Sequence, residues 1–312
     1  MSFSRRTRDV GKRMLFQFFR IGQRLGVDVL PRHFYSSVPD IKALTGSQEW
    51  RAPSTMPGVA GADVDEQLAE ARAWFTAEVS AALNETNVHA DACTENGADG
   101  YGPMEAQFLH AFIASRRPRR VVQVGAGVTT AVILAAAKRH GVDVAVTAVD
   151  PYPTPLLEKL ASDGSITLLR SPAQTVAMET FTELEAGDLL LVDSTHTVKV
   201  GSEVNRMILD VFPRLKPGVV VHVHDIMFPY DYQPDTLDGR LFFWDESTLL
   251  HAFLIGNDHA RILLSQSMLV HAKQAELKEL LVGYRPAKMR DGLFDGDRDG
   301  ADFPSATYLL TS

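Results

Sequence analysis

Two short segments hold the residue types that proton transfer or metal binding requires. One is Asp193-Ser194-Thr195-His196; the other is His222-Val223-His224-Asp225. An imidazole beside a carboxylate suits the removal of a proton from a poor nucleophile such as a hydroxyl. In a strand, alternate side chains share a face, so His222 and His224 point one way while Val221 and Val223 point the other. Two histidines and a carboxylate also invite a metal. A hard Mg²⁺ prefers oxygen ligands, however, so a metal is the weaker expectation. Bland readings stand beside these. His196 can cap or orient its loop, His222 can be a hydrogen-bonded core histidine, and His224 with Asp225 can simply line an acceptor pocket.

A glycine turn lies upstream. Val121–Val124 has the apolar signature of a buried strand, Gly125-Ala126-Gly127 follows, and Asp150 closes the next valine-rich run. Glycine lets backbone approach a ligand where a Cβ would obstruct it. Asp150 then stands where a carboxylate accepts from both hydroxyls of a ribose, which points to an adenosine-containing cofactor. A dinucleotide site wants a third glycine and a helix N-terminus aimed at the pyrophosphate. Thr130 occupies that third position. The pattern therefore disfavours NAD or FAD and favours a phosphate-free cofactor, S-adenosylmethionine.

The elements that must position these groups alternate regularly. Strands are expected at Val121–Val124, Val144–Val149, Ile166–Arg170, Asp188–Asp193 and Val219–Val223, with helices between them. That alternation means a parallel α/β sheet covered by helices on both faces. Two later strands, Arg261–Ser265 and Ala306–Leu310, suggest an antiparallel addition at the sheet edge. Upstream, Val64, Leu68, Ala71, Phe75, Val79 and Ala82 form one apolar stripe of a helix, and Asn84–Gly102 reads as a loop. The aromatic- and proline-rich Phe228–Trp244 segment reads as a loop over the acceptor, although Phe242, Phe243 and Trp244 suit a core equally.

Composition bounds the rest. The 312 residues are 45% hydrophobic, enough for a full core, and contain no apolar run of membrane-spanning length. Cys93 is the only cysteine, which excludes an internal disulfide and fits a reducing, cytoplasmic compartment. A net charge of −8 argues against nucleic acid. Residues 1–26 are nevertheless basic, with Arg5, Arg6, Arg8, Lys12, Arg13, Arg20 and Arg24 beside Val10, Met14, Phe18, Ile21 and Leu25 at helical spacing. This helix either docks on its own domain or a second subunit, giving a homo-oligomer, or lies on an anionic membrane as a peripheral contact. The division expected is an N-terminal extension, 1–60, and a catalytic domain, 61–312.

The segments HFYSSVPD (33–40), GPMEAQFLHAFI (102–113), VVQVGAGVTT (121–130), AVDPYP (148–153), DLLLVDSTHTVKVGSEVNRMI (188–208) and LKPGVVVHVHDIMFPYDY (215–232) resemble class I S-adenosylmethionine-dependent methyltransferases. The nearest branch is that of the macrocin-type O-methyltransferases and their bacterial relatives. The resemblance implies a Rossmann-like, seven-stranded, mostly parallel sheet with a helical N-terminal extension. It places Gln123, Gly125, Ala126, Gly127, Thr129, Asp150, Pro151, Ser171, Asp193 and Ser194 about the cofactor. Such proteins commonly carry Glu where this chain has Gln123, and metal-using relatives carry acidic residues where it has His224-Asp225. A D-x-x-H segment there supplies a metal ligand and a histidine base, matching Asp193 and His196. Tyr101 and Glu105 would cover the cofactor, although Glu105 equally suits a helix-start carboxylate.

The function expected is O-methylation of a small molecule or glycan, with His196, His224 and Asp225 catalytic. The rivals are an NAD-linked oxidoreductase and a non-catalytic cofactor-binding scaffold acting through the N-terminal arm.

Overall fold

The computed structural model describes every residue except Met1, Ser2, Gly239, Asp297 and Asp299, and only the helical backbone for residues 3–10. It comprises two compact units, Met1–Ser47 and Gln48–Ser312. In the first, helix α1 (Phe3–Arg24) is followed by Gly26 at φ +75°, and a short helix Ile41–Gly46 begins on Asp40. The Asp40 carboxylate accepts from the amides of Lys42 and Ala43, satisfying donors that a helix start leaves unpaired. Met14, Phe18, Ile21 and Leu25 of this unit are exposed. The expected contributions of Arg5, Arg6, Arg8 and Val10 lie outside the described side chains. No described helix is long and apolar enough to cross a membrane. Residues 48–60, expected in the extension, count with the second unit.

The second unit is built on strands β1 (Arg120–Val124), β2 (Ala145–Val149), β3 (Thr167–Leu169), β4 (Leu189–Val192), β5 (Val220–Val223), β6 (Ala260–Ser265) and β7 (Thr307–Thr311). They form one seven-stranded sheet in the order β3-β2-β1-β4-β5-β7-β6. Neighbours from β3 to β5 pair in parallel, with Val121 opposite Val146 on one side and Leu189 on the other. Both faces are covered, so β4 reads as the continuous apolar run LLLV, as a parallel strand buried twice over should. Alternation divides the core into two layers. Val121, Leu189 and Leu191 pack with Trp74, Phe108, Phe112 and Ile133, whereas Val122, Val124 and Leu190 pack with Phe181, Ile208 and Phe212.

Two expectations change and a third holds. The single stripe through residues 64–82 is two helices, Val64–Trp74 and Ala77–Glu85, broken where the Thr76 hydroxyl accepts from the Val79 amide and starts the second. The polar stretch after Asn84 contains a helix, Val88–Asn96, begun by the Asn87 side chain and ended by Gly97 at φ +76°. Its Asn, Asp and Gly residues are caps rather than loop. The two late strands do form the expected antiparallel addition at the sheet edge, with β7 inserted between β5 and β6 and antiparallel to both.

Strand order reverses between β1 and β4, and a parallel sheet opens a crevice beyond the strand ends at such a point. Gly125, Asp150, Asp193 and His224 directly follow the ends of β1, β2, β4 and β5.

Candidate active site

Two cavities meet at these strand ends. The smaller, of about 330 Å³, is lined by Asn96, Gly125, Ala126, Gly127, Asp150 and Asp193, with Tyr101 at one side. The turn that shapes it is already engaged along its backbone. The Gly125 amide donates to Val149 O at 3.1 Å, that of Ala126 to Asp150 Oδ2 at 3.2 Å, and that of Gly127 to Thr130 Oγ1 at 3.3 Å. Three successive amides that would cradle a pyrophosphate therefore have internal partners. Asp150 also accepts from the Tyr152 amide at 2.7 Å, which fixes its carboxylate at the cavity wall.

Gln123 does not line this cavity. It is fully buried beneath the turn, where its Nε2 donates to Thr129 Oγ1 and its Oε1 accepts from Thr130 Oγ1, both at 2.8 Å. An amide both donates and accepts, and an ionised carboxylate only accepts. This explains why glutamine replaces the glutamate of the resembled family, and why threonine stands at the third glycine position. Pro151, Ser171 and Ser194 are likewise absent from the lining. Pro151 is exposed beyond Asp150. The three-residue β3 ends at Leu169, and Ser171 turns back to donate to the Leu169 carbonyl. Ser194 lies beside Glu203, whose carboxylate also accepts from the Thr195 amide.

The larger cavity, about 520 Å³, has Tyr101, Glu105, His224 and Asp225 on its inner wall and Phe242 and Trp244 on its outer side. Tyr101 lines both cavities. The aromatic segment therefore lines this space, with the Trp244 ring tilted by 45° and 4.5 Å from the His196 ring, and Phe242 stacked parallel to Trp244.

Between the cavities sits a buried cluster. His224 Nδ1 is 3.1 Å and His196 Nε2 3.5 Å from Asp193 Oδ1, while Asp225 Oδ2 is 3.8 Å from each ring. His196 Nδ1 meets Glu246 Oε2 at 2.9 Å. The His196 carbonyl accepts from the amides of Asp245 and Glu246, clamping the helix Glu246–Leu254 onto the loop after β4. Ser305 donates its hydroxyl to Asp225 Oδ1 at 2.7 Å and its amide to Glu105 Oε1 at 3.0 Å. Tyr101, His196 and Asp225 adopt φ of +57°, +56° and +53°. Left-handed backbone at a residue other than glycine costs of order 1 kcal/mol or more and persists where surroundings enforce it, often at functional sites.

Electrostatics follow from this crowding. Burial alone would lower the His196 pKa, but hydrogen bonds to Asp193 and Glu246 and the nearby carboxylates outweigh it and lift it to about 9. His224 is likewise raised by Asp225 and Asp193 against burial. Burial pushes Asp193 upward, yet the two imidazoles hold it well below the usual carboxylate range. His222 behaves as a core residue. Burial and the neighbouring His224 depress it to about 3, and its Nε2 faces Tyr101 Oη at 3.3 Å.

Glu246 and Ser305 escaped the sequence reading because neither carries a local motif. An acidic residue at a helix start looks like a dipole complement, and only the preceding Trp244 hinted that this helix approaches the site. The acidic pair that would hold Mg²⁺ in metal-using relatives does not fit here either. Asp193, His196 and His224 offer two imidazoles for one carboxylate, a poor match for a hard, oxygen-seeking ion.

Residues 122–226 match the family model of a methyltransferase domain. That segment runs from β1 to just past β5, so the parallel strands carry a methyltransferase domain. Among particular relatives, it is 27% identical over 179 residues to an uncharacterized protein of Archaeoglobus fulgidus, covering 55% of this chain and 80% of that one. It is also similar to the O-methyltransferase TomG from Streptomyces achromogenes, solved in complex with SAM, at 13% identity, 76% and 90% coverage and a TM-score of 0.42. The SAH-bound methyltransferase PaMTH1 from Podospora anserina gives 13% identity, 91% and 99% coverage and a TM-score of 0.39.

Proposed function

We propose that this protein transfers a methyl group from S-adenosylmethionine to an oxygen of a small-molecule acceptor. The observation that carries the reading is the junction of the two cavities, where Tyr101 lines both and the Asp193–His224 hydrogen bond spans from one to the other. Gly125, Gly127 and Asp150 would hold the cofactor, with Asp150 on its ribose. The amides of the turn already have partners and offer nothing to a pyrophosphate, which counts against the NAD-linked alternative. Bound S-adenosylmethionine supplies an electrophilic methyl on a sulfonium.

The acceptor enters from the larger cavity and places its hydroxyl against His224 and Asp225. Both imidazoles are held cationic by their carboxylate partners, so the role proposed for His196 shifts from base to stabiliser of the acceptor's oxyanion. As the new oxygen–carbon bond forms and the carbon–sulfur bond breaks, the acceptor's proton passes to the Asp225 carboxylate and on to solvent. Trp244 and Phe242 keep bulk water from the reacting oxygen.

Calorimetry of the full chain with S-adenosylmethionine and with NAD is the direct test. Micromolar binding of the former and none of the latter is expected; the reverse would sink the proposal. A panel of phenolic, sugar and hydroxy-acid acceptors with isotope-labelled cofactor then separates an enzyme from a non-catalytic scaffold, which would bind cofactor without turnover.

A further inference from the structure

We infer that the basic N-terminal unit docks on an anionic lipid surface, with the apolar side of α1 sunk among the lipids and its cations against the headgroups. The two sides of this helix are chemically opposed. At 3.6 residues per turn, Met14, Leu15, Phe18 and Ile21 fall within roughly 120° of arc, and Lys12, Arg13, Arg20 and Arg24 fill the arc opposite. All eight side chains are exposed. Arg5, Arg6 and Arg8 continue the basic series in the sequence. The turn that ends the helix extends its apolar side. The amides of Gly26 and Val27 donate to the carbonyls of Gln23 and Gly22 at 3.2 and 2.9 Å, with Gly26 at φ +75°. A Cβ on Gly22 would meet the Val27 carbonyl oxygen at 2.6 Å, so only glycine allows this reversal, which brings Val29 beside Gly22. Beyond it Val27, Val29, Leu30, Phe34 and Tyr35 are each more than half exposed.

Charge selects lipid over a second copy of the chain. Residues 1–47 carry nine Lys and Arg against three Asp, a net +6, which leaves −14 on residues 48–312. Two such arms pairing face to face would set one group of cations against another. The acidic body of a second copy would attract the arm but offers its apolar side no seat. Among the described residues, exposed large hydrophobics of the body such as Tyr152, Val200, Leu209 and Ile255 belong to separate helices and loops, and Phe242 lines the acceptor cavity. An anionic bilayer meets both requirements at once, with acyl chains for the apolar arc and negative headgroups for the basic one. Tyr35 adds a ring with an apolar body and a polar tip, suited to the boundary between them. No described helix is long and apolar enough to cross a membrane, so α1 lies in the plane of the surface.

The inference is independent of methyl transfer, and its test needs no turnover. The full chain is sedimented with vesicles of phosphatidylcholine alone and of phosphatidylcholine mixed with phosphatidylserine, at low and at high salt. It should pellet with the anionic vesicles at low salt, be released as added salt screens the charges, and stay in solution with the neutral ones. Each cation near an anionic surface contributes roughly fivefold to partitioning, so Lys12→Gln, Arg13→Gln, Arg20→Gln and Arg24→Gln together should weaken binding by about 100-fold or more. Phe18→Gln with Ile21→Gln should weaken it by about tenfold or more on the same vesicles. Glutamine keeps the helix propensity of these positions, and the melting transition and S-adenosylmethionine affinity of each variant should match the wild type. No pelleting with anionic vesicles, equal pelleting with neutral ones, or binding indifferent to both sets of substitutions overturns the inference. So does a dimer that forms in place of vesicle binding and dissociates on Phe18→Gln with Ile21→Gln, read by light scattering, which assigns the face to a second copy.

Discussion

Gly125 and Asp193 touch so closely that no side chain fits between them: a Cβ on Gly125 would meet the Asp193 carbonyl oxygen at 1.8 Å. The Asp193 amide in turn donates to the Val124 carbonyl at 2.9 Å. The turn that shapes the cofactor cavity and the carboxylate that anchors both histidines are therefore one rigid joint. Gly125→Ala meets this contact and also the strain of φ +79°. It should destabilise the fold by roughly 1–3 kcal/mol and remove measurable cofactor binding, read by thermal melting and calorimetry.

Asp150→Ala should act on the cofactor side alone. The carboxylate braces the turn through the amides of Ala126 and Tyr152, and hydrogen bonds to a charged group are worth about 1.5–3 kcal/mol each. Cofactor affinity should fall at least tenfold, with acceptor affinity unchanged when cofactor is saturating. A dissociation constant equal to wild type would remove Asp150 from the cofactor site.

Acting on the other cavity, His196→Ala should lower kcat by roughly 10²–10³, the range for deleting a group that stabilises developing negative charge. Cofactor affinity should stay within about threefold, because His196 does not line the smaller cavity. Glu246→Ala leaves the His196 ring charged, buried and short of its partner. Breaking such a pair typically costs roughly 3–5 kcal/mol, measurable by denaturant unfolding, while Glu246→Gln should cost clearly less.

Acid should unfold the protein through its buried neutral histidines, of which His110 is one outside the catalytic cluster. His110, only 3% exposed, lies 3.0 Å from His140, and burial with the neighbouring His140 and Arg139 charges lowers its pKa to about 4. Burial lowers His271 to about 4 as well. The unfolded chain titrates such residues near 6.5 and so binds more protons between those values. Stability should be fully present above about pH 6.5 and fall as pH drops toward 4, by about 3 kcal/mol for His110. His110→Leu should flatten that limb in a pH series of melting temperatures.

The parallel core was legible because a strand buried on both faces must be apolar throughout, and its glycine turn and terminal Asp150 sit at fixed places on it. Local chemistry with two readings was not. The stripe from Val64 to Ala82 runs smoothly across a helix break that only the Thr76 cap reveals. Gln123 looked like a cofactor ligand until Thr129 and Thr130 were seen to consume both ends of its amide. Asp193, His196 and His224 were found as types, but their convergence depends on Glu246 and on positive-φ backbone at His196, which spacing alone does not encode.

The insertion of β7 between β5 and β6 has a bearing on synthesis. A ribosome delivers β5 and β6 long before residues 307–311, so β5 waits with one edge unpaired while the intervening chain emerges. Ser305, which joins Glu105 to Asp225, arrives in the same late segment. A nascent chain can therefore assemble its cofactor turn while its acceptor wall is still unfinished. Until β7 arrives, the free edge of β5 is a row of unpaired donors and acceptors of the kind that pairs with other chains.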